Sequence, residues 1–249
     1  MLKFQSAISQ KFINFLLPPQ CAICHEITEK PYTLCMDCWE CLEFITSPKC
    51  SICSVPLQGV DRDMPCMDCL KNPPTFTKAY APLVYNESLK KLILRFKNYD
   101  GLHLGPMFCN WLQLCAIENV DFIIPVPLHW WRFFVRQYNQ AAELGKIFSK
   151  RTNLPIYFNI LKRDKATATQ GHKNKFLRYQ NLTDAFVVSD SSQILKNAKV
   201  LLIDDVLTSG ATANACAKAL LGAGASSVDV LTIARAIKAP ADKVDYGTP

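Results

Sequence analysis

Apolar positions along the chain fall into two rhythms. Unbroken runs occur at 121–126 (DFIIPV), 200–203 (VLLI) and 228–233. Such runs leave no wet face, so they read as parallel strands buried on both sides. Residues 79–85 and 185–188 read as two further strands. Between them the spacing becomes helical. In ESLKKLILRFK, at 87–97, positions 89, 92, 93 and 96 are apolar and 90, 91, 95 and 97 are basic, which predicts an amphipathic helix with a basic face. A turn at 98–101 leads to a second helix over 104–117, and a third covers 139–150, with Pro155 closing that segment. An Ala-rich helix runs from 211 to about 221 and stops at Gly222 and Gly224. Phe4, Ile8, Phe12, Phe15 and Leu16 also keep helical spacing, and predict an N-terminal helix packing on its own protein.

Residues 21–69 follow neither rhythm and hold nine of the twelve cysteines. Eight are paired with two residues between them: Cys21 and Cys24, Cys35 and Cys38, Cys50 and Cys53, Cys66 and Cys69. The segment repeats itself, as CAICHEITEKPYTLCMDC and then CSICSVPLQGVDRDMPCMDC. The repeat predicts two zinc ribbons in series, because sets of four thiolates select zinc. A stretch so poor in large apolar groups could hardly fold without a metal or disulfides. Disulfides would need an oxidising compartment, and the N-terminus does not read as a signal peptide. Ligation interleaved between the repeats stays open, as does one ion against two. Cys41 lies outside the repeat, Cys109, Cys115 and Cys216 read as core, and His25 reads as a neighbour of the site rather than a ligand. Lys71-Asn72-Pro73-Pro74 marks a boundary. The organisation expected is an N-terminal helix (1–20), a cysteine-rich domain (21–72) and a larger domain (76–240).

Net charge is +7 and uneven: residues 1–75 carry 6 Lys/Arg against 8 Asp/Glu, and residues 76–249 carry 22 against 13. The basic part suits phosphate-rich ligands, nucleic acid among them. No run of 18 apolar residues suggests a membrane span, and the expected location is cytoplasmic.

The strand at 200–203 ends in Asp204 and Asp205, and Thr208, Ser209, Gly210, Ala211 and Thr212 then open the Ala-rich helix. A helix N-terminus offers unpaired N–H groups and positive potential to a phosphate. Gly210 permits positive φ and close approach. Two acids ahead of such a cradle would repel a bare anion. They fit a ligand whose hydroxyls lie beside its phosphate, such as a ribose 5-phosphate. The string lacks the Lys of a P-loop, and a dinucleotide fingerprint would lack the acid pair. A plain turn capped by Asp205 is the alternative, and it leaves two acids and three hydroxyls unexplained.

Two other segments could meet such a ligand. Residues 129–138 interleave Arg132 and Arg136 with Trp130, Trp131, Phe133, Phe134 and Tyr138. Single-stranded nucleic acid is held by rings that stack bases and cations that meet phosphates, although rings also pack against sheets. Residues 162–178 carry six Lys/Arg against Asp164 and read as a flexible basic loop able to close over a leaving pyrophosphate.

The stretches DFIIPVPLHWWRFFVRQYNQAAELGK, LKRDKATATQ, FLRYQNLTDAF and LLIDDVLTSGATANACAKAL, with the cysteine repeat, resemble the competence protein ComF family. The resemblance covers about Cys21 to Arg235. It implies an α/β fold: a type I phosphoribosyltransferase-like parallel sheet flanked by helices, with a small N-terminal zinc-ribbon domain. It also implies a role in natural transformation, where DNA enters as a single strand. By motif, Asp204 and Asp205 would bind the ribose of 5-phosphoribosyl-1-pyrophosphate (PRPP). Val206, Thr208, Ser209, Gly210, Ala211 and Thr212 would line its 5-phosphate. Pro125, Val126, Pro127 and Leu128 would form the turn on the pyrophosphate side, with Arg136, Asn139 and Gln140 beside it. Arg163, Gln170 and Arg178 would come from the mobile loop, Arg163 as a catalytic group with the two acids. Gln137 stands where the family usually has Gly, so the approach near Arg136 narrows. Mg²⁺ would accompany PRPP. Single-stranded DNA and other competence proteins are the implied partners. Three functions stay open: a PRPP- and DNA-binding protein, a phosphoribosyltransferase acting on a small amine or base, and a zinc-ribbon adaptor.

Overall fold

In a computed structural model of the chain, the described residues are 18–128, 138–163, 185–189 and 192–237. The N-terminal helix, the aromatic and arginine-rich segment at 129–137 and the basic loop beyond Arg163 lie outside them. In chain order the strands are β1 (Lys78–Tyr80), β2 (Leu83–Val84), β3 (Phe122–Pro125), β4 (Leu161–Arg163), β5 (Phe186–Val188), β6 (Lys199–Leu207) and β7 (Ser227–Arg235). β1, β7, β6 and β3 lie side by side in parallel, and β2 pairs with β7 beyond β1. β4 and β5 form a separate antiparallel pair.

The unbroken apolar runs do what their pattern requires. Successive side chains of a strand point to opposite faces, so β6 feeds two cores at once. Val200 and Leu202 pack with Val228, Val230, Cys216 and Leu220 on one face. Leu201 and Ile203 pack with Leu231, Ile233, Leu92, Phe96, Phe108 and Leu144 on the other. The second face is covered by α3 (Glu87–Phe96), α4 (Gly105–Leu112) and α5 (Gln140–Thr152), and the first by α7 (Ala211–Gly222) with the short α6 (Ser192–Leu195). The apolar positions 89, 92, 93 and 96 of α3 are all fully buried. Asn86 caps α3 by accepting from the Leu89 N–H at 3.0 Å.

Three elements differ from their sequence pattern. The strand expected at 79–85 is broken into β1 and β2 at Pro82, which has no N–H for a ladder and whose carbonyl accepts from Ile45 N at 2.8 Å. The helix expected at 104–117 is a 3₁₀ turn (Tyr99–Leu104) followed by the shorter α4, with Pro106 in its first turn. β6 does not stop at Ile203. Pairing with β7 continues through Asp204↔Thr232 to Leu207↔Arg235, so the acid pair sits inside the strand.

Candidate functional site

The cysteine repeat folds into two sequential sets. Cys21, Cys24, Cys35 and Cys38 form one and Cys50, Cys53, Cys66 and Cys69 the other, each with all ligand atoms within 4.8 Å of one another. This excludes interleaving of the repeats. The Sγ atoms of Cys24 and Cys35 are 3.5 Å apart and those of Cys53 and Cys66 3.8 Å. Zn–S bonds of about 2.3 Å in a tetrahedron give edges of about 3.8 Å, far longer than the roughly 2.05 Å of a disulfide. Backbone N–H groups are aimed at the leading sulfurs. Ile23 N donates to Cys21 Sγ at 3.4 Å, and Cys53 N and Cys66 N donate to Cys50 Sγ at 3.4 and 3.2 Å. Burial pushes the Cys50 thiol up, but the N–H groups of Cys53, Cys66 and Ile52 outweigh it and hold it at about 7. Cys21 is held at about 6 in the same way, with N–H groups of Cys24, Cys35 and Ile23 acting against burial. Four thiols to a set, with N–H groups aimed at the leading sulfur of each, fit zinc. The short helices α1 (Met36–Glu40) and α2 (Met67–Lys71) begin directly after Cys35 and Cys66. Cys41 and His25 are exposed and outside both sets, while Cys109 and Cys216 are buried in the core.

At the carboxyl end of the sheet, β6 leads into the 208–212 loop. Thr208 and Ser209 are exposed, and Gly210, at φ 77° and ψ 0°, is the N-cap residue of α7. A Cβ at Gly210 would find Phe76 at an ordinary 3.6 Å, so it is the left-handed backbone, not space, that asks for glycine. Ser209 Oγ accepts from Ala211 N at 3.4 Å, and the N-cap residue itself, Gly210, has no side chain to cap the helix. Ala211 and Thr212 are half-buried in its first turn.

The acids differ in environment. Asp204 Oδ1 accepts from the Asp205 N–H at 2.8 Å. Burial, with the charge of Asp205 adding to it, pushes the Asp204 carboxyl up to about 7, against that N–H and the Lys97 ammonium. Asp205 Oδ2 instead pairs with Lys97 Nζ at 2.6 Å, both side chains largely shielded. Lys97, the C-cap residue of α3, reads in the sequence as one more cation on a basic face. Its position depends on residues outside that helix. Gln140 Nε2 donates to the Lys97 carbonyl at 3.3 Å, and the Tyr138 hydroxyl donates to the carbonyls of Phe96 and Asn98.

The other expected site residues are placed as follows. Val206 is half-buried and packs against the α3–α5 core. Pro127 follows Val126, whose N–H donates to the Ile203 carbonyl at 2.9 Å, so it passes the same end of the sheet as the acids. Asn139 caps α5, accepting from Ala141 N and Ala142 N, and donates to the Val126 carbonyl at 3.0 Å. Arg163 is not in a loop: it ends β4, paired with Phe186 of β5, and its guanidinium lies 5.5 Å from the Phe186 ring centre. Its LKR triplet pairs with FVV, an extended partner that a basic, aperiodic stretch does not announce. Arg136, Gln170 and Arg178 lie outside the described residues.

A cleft of about 1200 Å³ opens between the second cysteine set and the 208–212 loop. Met67, Pro73, Pro74 and Phe76 give it an apolar wall, and Lys71, Lys218 and Arg235 add cations. Thr75 N donates to Asn214 Oδ1 at 2.7 Å and pins the segment after the prolines to α7.

Two four-cysteine ribbons joined to a parallel sheet of this kind define a zinc-ribbon protein with a phosphoribosyltransferase-like domain. Residues 12–70 match the family model of the double zinc ribbon domain, and residues 139–247 that of the phosphoribosyl transferase domain. The chain belongs to the competence protein F family. It is 34% identical to competence protein F of Haemophilus influenzae over 208 residues, covering 80% of this chain and 90% of that one. It is 27% identical to the DNA utilization protein YhgH of Escherichia coli K12 (87% of this chain, 90% of that one). It is also 27% identical to competence protein ComFC of Streptococcus pneumoniae (81% and 87%). Among solved structures, the glutamine PRPP amidotransferase of B. subtilis aligns with 57% of this chain and 26% of its own, at 19% identity and a TM-score of 0.35.

Proposed function

We propose that the protein binds PRPP at the end of β6 and single-stranded DNA on its basic part, in the handling of DNA taken up for transformation. The observation that carries the first half is the acid pair beside a glycine-led helix N-terminus. Asp204 and Asp205 accept hydrogen bonds from the ribose hydroxyls, and residues 208–212 receive the 5-phosphate. Mg²⁺ enters as the counter-ion of the ligand's own oxygens, since hard oxygen ligands suit it. The relatives' names, competence and DNA utilization proteins, support the second half. Cytoplasmic location belongs to the same reading; among the described residues no helix is long and apolar enough to cross a membrane.

A second reading, phosphoribosyl transfer to a small amine or base, is favoured by the cleft, which leaves room for an acceptor beside the loop. In that reaction a nucleophile attacks C1 of the ribose, its bond to pyrophosphate breaks, and pyrophosphate leaves. One experiment addresses both. Calorimetry with PRPP and Mg²⁺ should show binding by wild type and its loss in Asp204→Asn/Asp205→Asn. Absence of binding by wild type would overturn the site assignment. Pyrophosphate release with a panel of acceptors would move the reading from binder to enzyme.

A further inference from the structure

The second cysteine set is tied to the 208–212 loop through one side chain. Arg235, the last residue of β7, is paired in register with Leu207, the last of β6. Its guanidinium reaches both ways. Nε donates to the Cys53 carbonyl at 3.1 Å, and Nη2 points at Cys53 Sγ at 3.9 Å. Nη1 donates to the carbonyls of Leu207 at 3.0 Å, Thr208 at 2.5 Å and Ala236 at 2.7 Å. One planar fork therefore holds a metal-binding knuckle and the first peptide of the loop in a fixed relation.

We propose that Arg235 is a positioning residue through which the metal-bound second ribbon holds the 208–212 loop in its binding shape. The Thr208 carbonyl is the point of control. Thr208 and Ser209 are exposed and Gly210 holds a left-handed turn, so the peptide ahead of that turn sets where the following N–H groups aim. The ribbon end of the clasp is firm while the metal is bound. Ser54 Oγ donates to the Ala79 carbonyl and Ala79 N to the Ile52 carbonyl, each at 2.7 Å, which seats the knuckle on β1. Without metal such a knuckle has little to hold it together, and Arg235 loses its ribbon anchors. The inference concerns the chain's own geometry. Only its affinity arm rests on the proposed PRPP reading.

The test uses the full-length protein in four forms: wild type, Arg235→Met, Arg235→Lys and Cys69→Ser. Cys69 belongs to the set but is not a partner of Arg235, so its loss empties the metal site without cutting the clasp directly. Native mass spectrometry counts zinc, hydrogen–deuterium exchange reads the amides of 207–213, and calorimetry reads PRPP. Cys69→Ser should lose one zinc, and exchange in the loop should rise about tenfold, the size of a typical coupling between contacting groups. Arg235→Met should give the same rise. It should also release the second zinc to a chelator about tenfold faster, as removal of a ligand's supporting partner does. Arg235→Lys keeps the charge and loses the fork, so it should resemble Met. Wild-type exchange in Cys69→Ser with one zinc lost would overturn the proposal, as would full rescue by Lys, which would make Arg235 a simple charge in the cleft. Should Cys69→Ser fail to fold, exchange and zinc release in the two Arg235 variants decide. Should no form bind PRPP, the site assignment falls and exchange still decides the clasp.

Discussion

Asp204 illustrates how a single residue can be held against its own preference. Its folded pKa of about 7 lies above the ordinary 3.8. The folded state therefore binds more protons than the unfolded one between those values, and the stabilisation present at low pH is lost as pH rises through about 7. The groups acting on it are Asp205 and Lys97, with Cys216 of α7 coupled to it from the core side. Asp204→Asn removes this dependence. In chemical denaturation its stability relative to wild type should grow by about 1 kcal/mol between pH 6 and pH 8.5. Parallel curves for the two proteins would show that Asp204 is not desolvated. On the proposed reading, a ribose hydroxyl donating to Asp204 would supply the hydrogen bond that burial withholds.

At the scale of elements, α5 is the joint between the two sides of the site. Its N-cap residue Asn139 accepts from the first turn and donates to the Val126 carbonyl at the end of β3, while Gln140 holds the carbonyl of Lys97 at the end of α3. Asn139→Ala should cost about 1–2 kcal/mol in urea denaturation. Asn139→Asp, which keeps the cap acceptor and loses the donor to Val126, should recover part of it. Full recovery would mean that the link to β3 is immaterial. Much of this level was legible in the sequence. The runs at 121–126 and 200–203, the stripe of α3 and the two cysteine repeats all signal locally, because one period or one spacing carries the message. What was not legible depends on pairing across the chain. Lys97 reaches Asp205 only because α3 ends over β6. Arg163 becomes a strand residue only because Phe186 lies opposite. The acids lie inside β6 only because β7 continues beside them. Arg235 lies two residues past the apolar run at 228–233, and nothing near it in sequence names Cys53.

In the whole molecule, each ribbon meets the core through an arginine that donates to a backbone carbonyl of its first knuckle. Arg95 Nη1 donates to the Ala22 carbonyl at 2.5 Å, as Arg235 does to that of Cys53. The first contact leads along α3 to Lys97 and Asp205, the second to the 208–212 loop. The basic surplus lies outside the ribbons, in residues 76–249. Binding of single-stranded homopolymers should therefore weaken with salt, with log–log slopes of about −0.7 per phosphate contacted. Fluorescence anisotropy from about 50 to 200 mM salt checks this. A flat response would set aside phosphate contacts by the basic part.

The strand order β1-β7-β6-β3 has a consequence for synthesis. Among the described residues, β1, on which the second ribbon sits, and β2 pair within the sheet only with β7, the last described strand. As the polypeptide leaves the ribosome, both ribbons can load metal early, yet the second has no finished seat until about 165 more residues have emerged and Arg235 arrives with them. A chain interrupted before β7 would carry a folded, metal-loaded ribbon with nowhere to dock. It would also expose an open sheet edge at β6, a template for association with other chains. Completion of the final strand joins the sheet and closes the clasp in a single event.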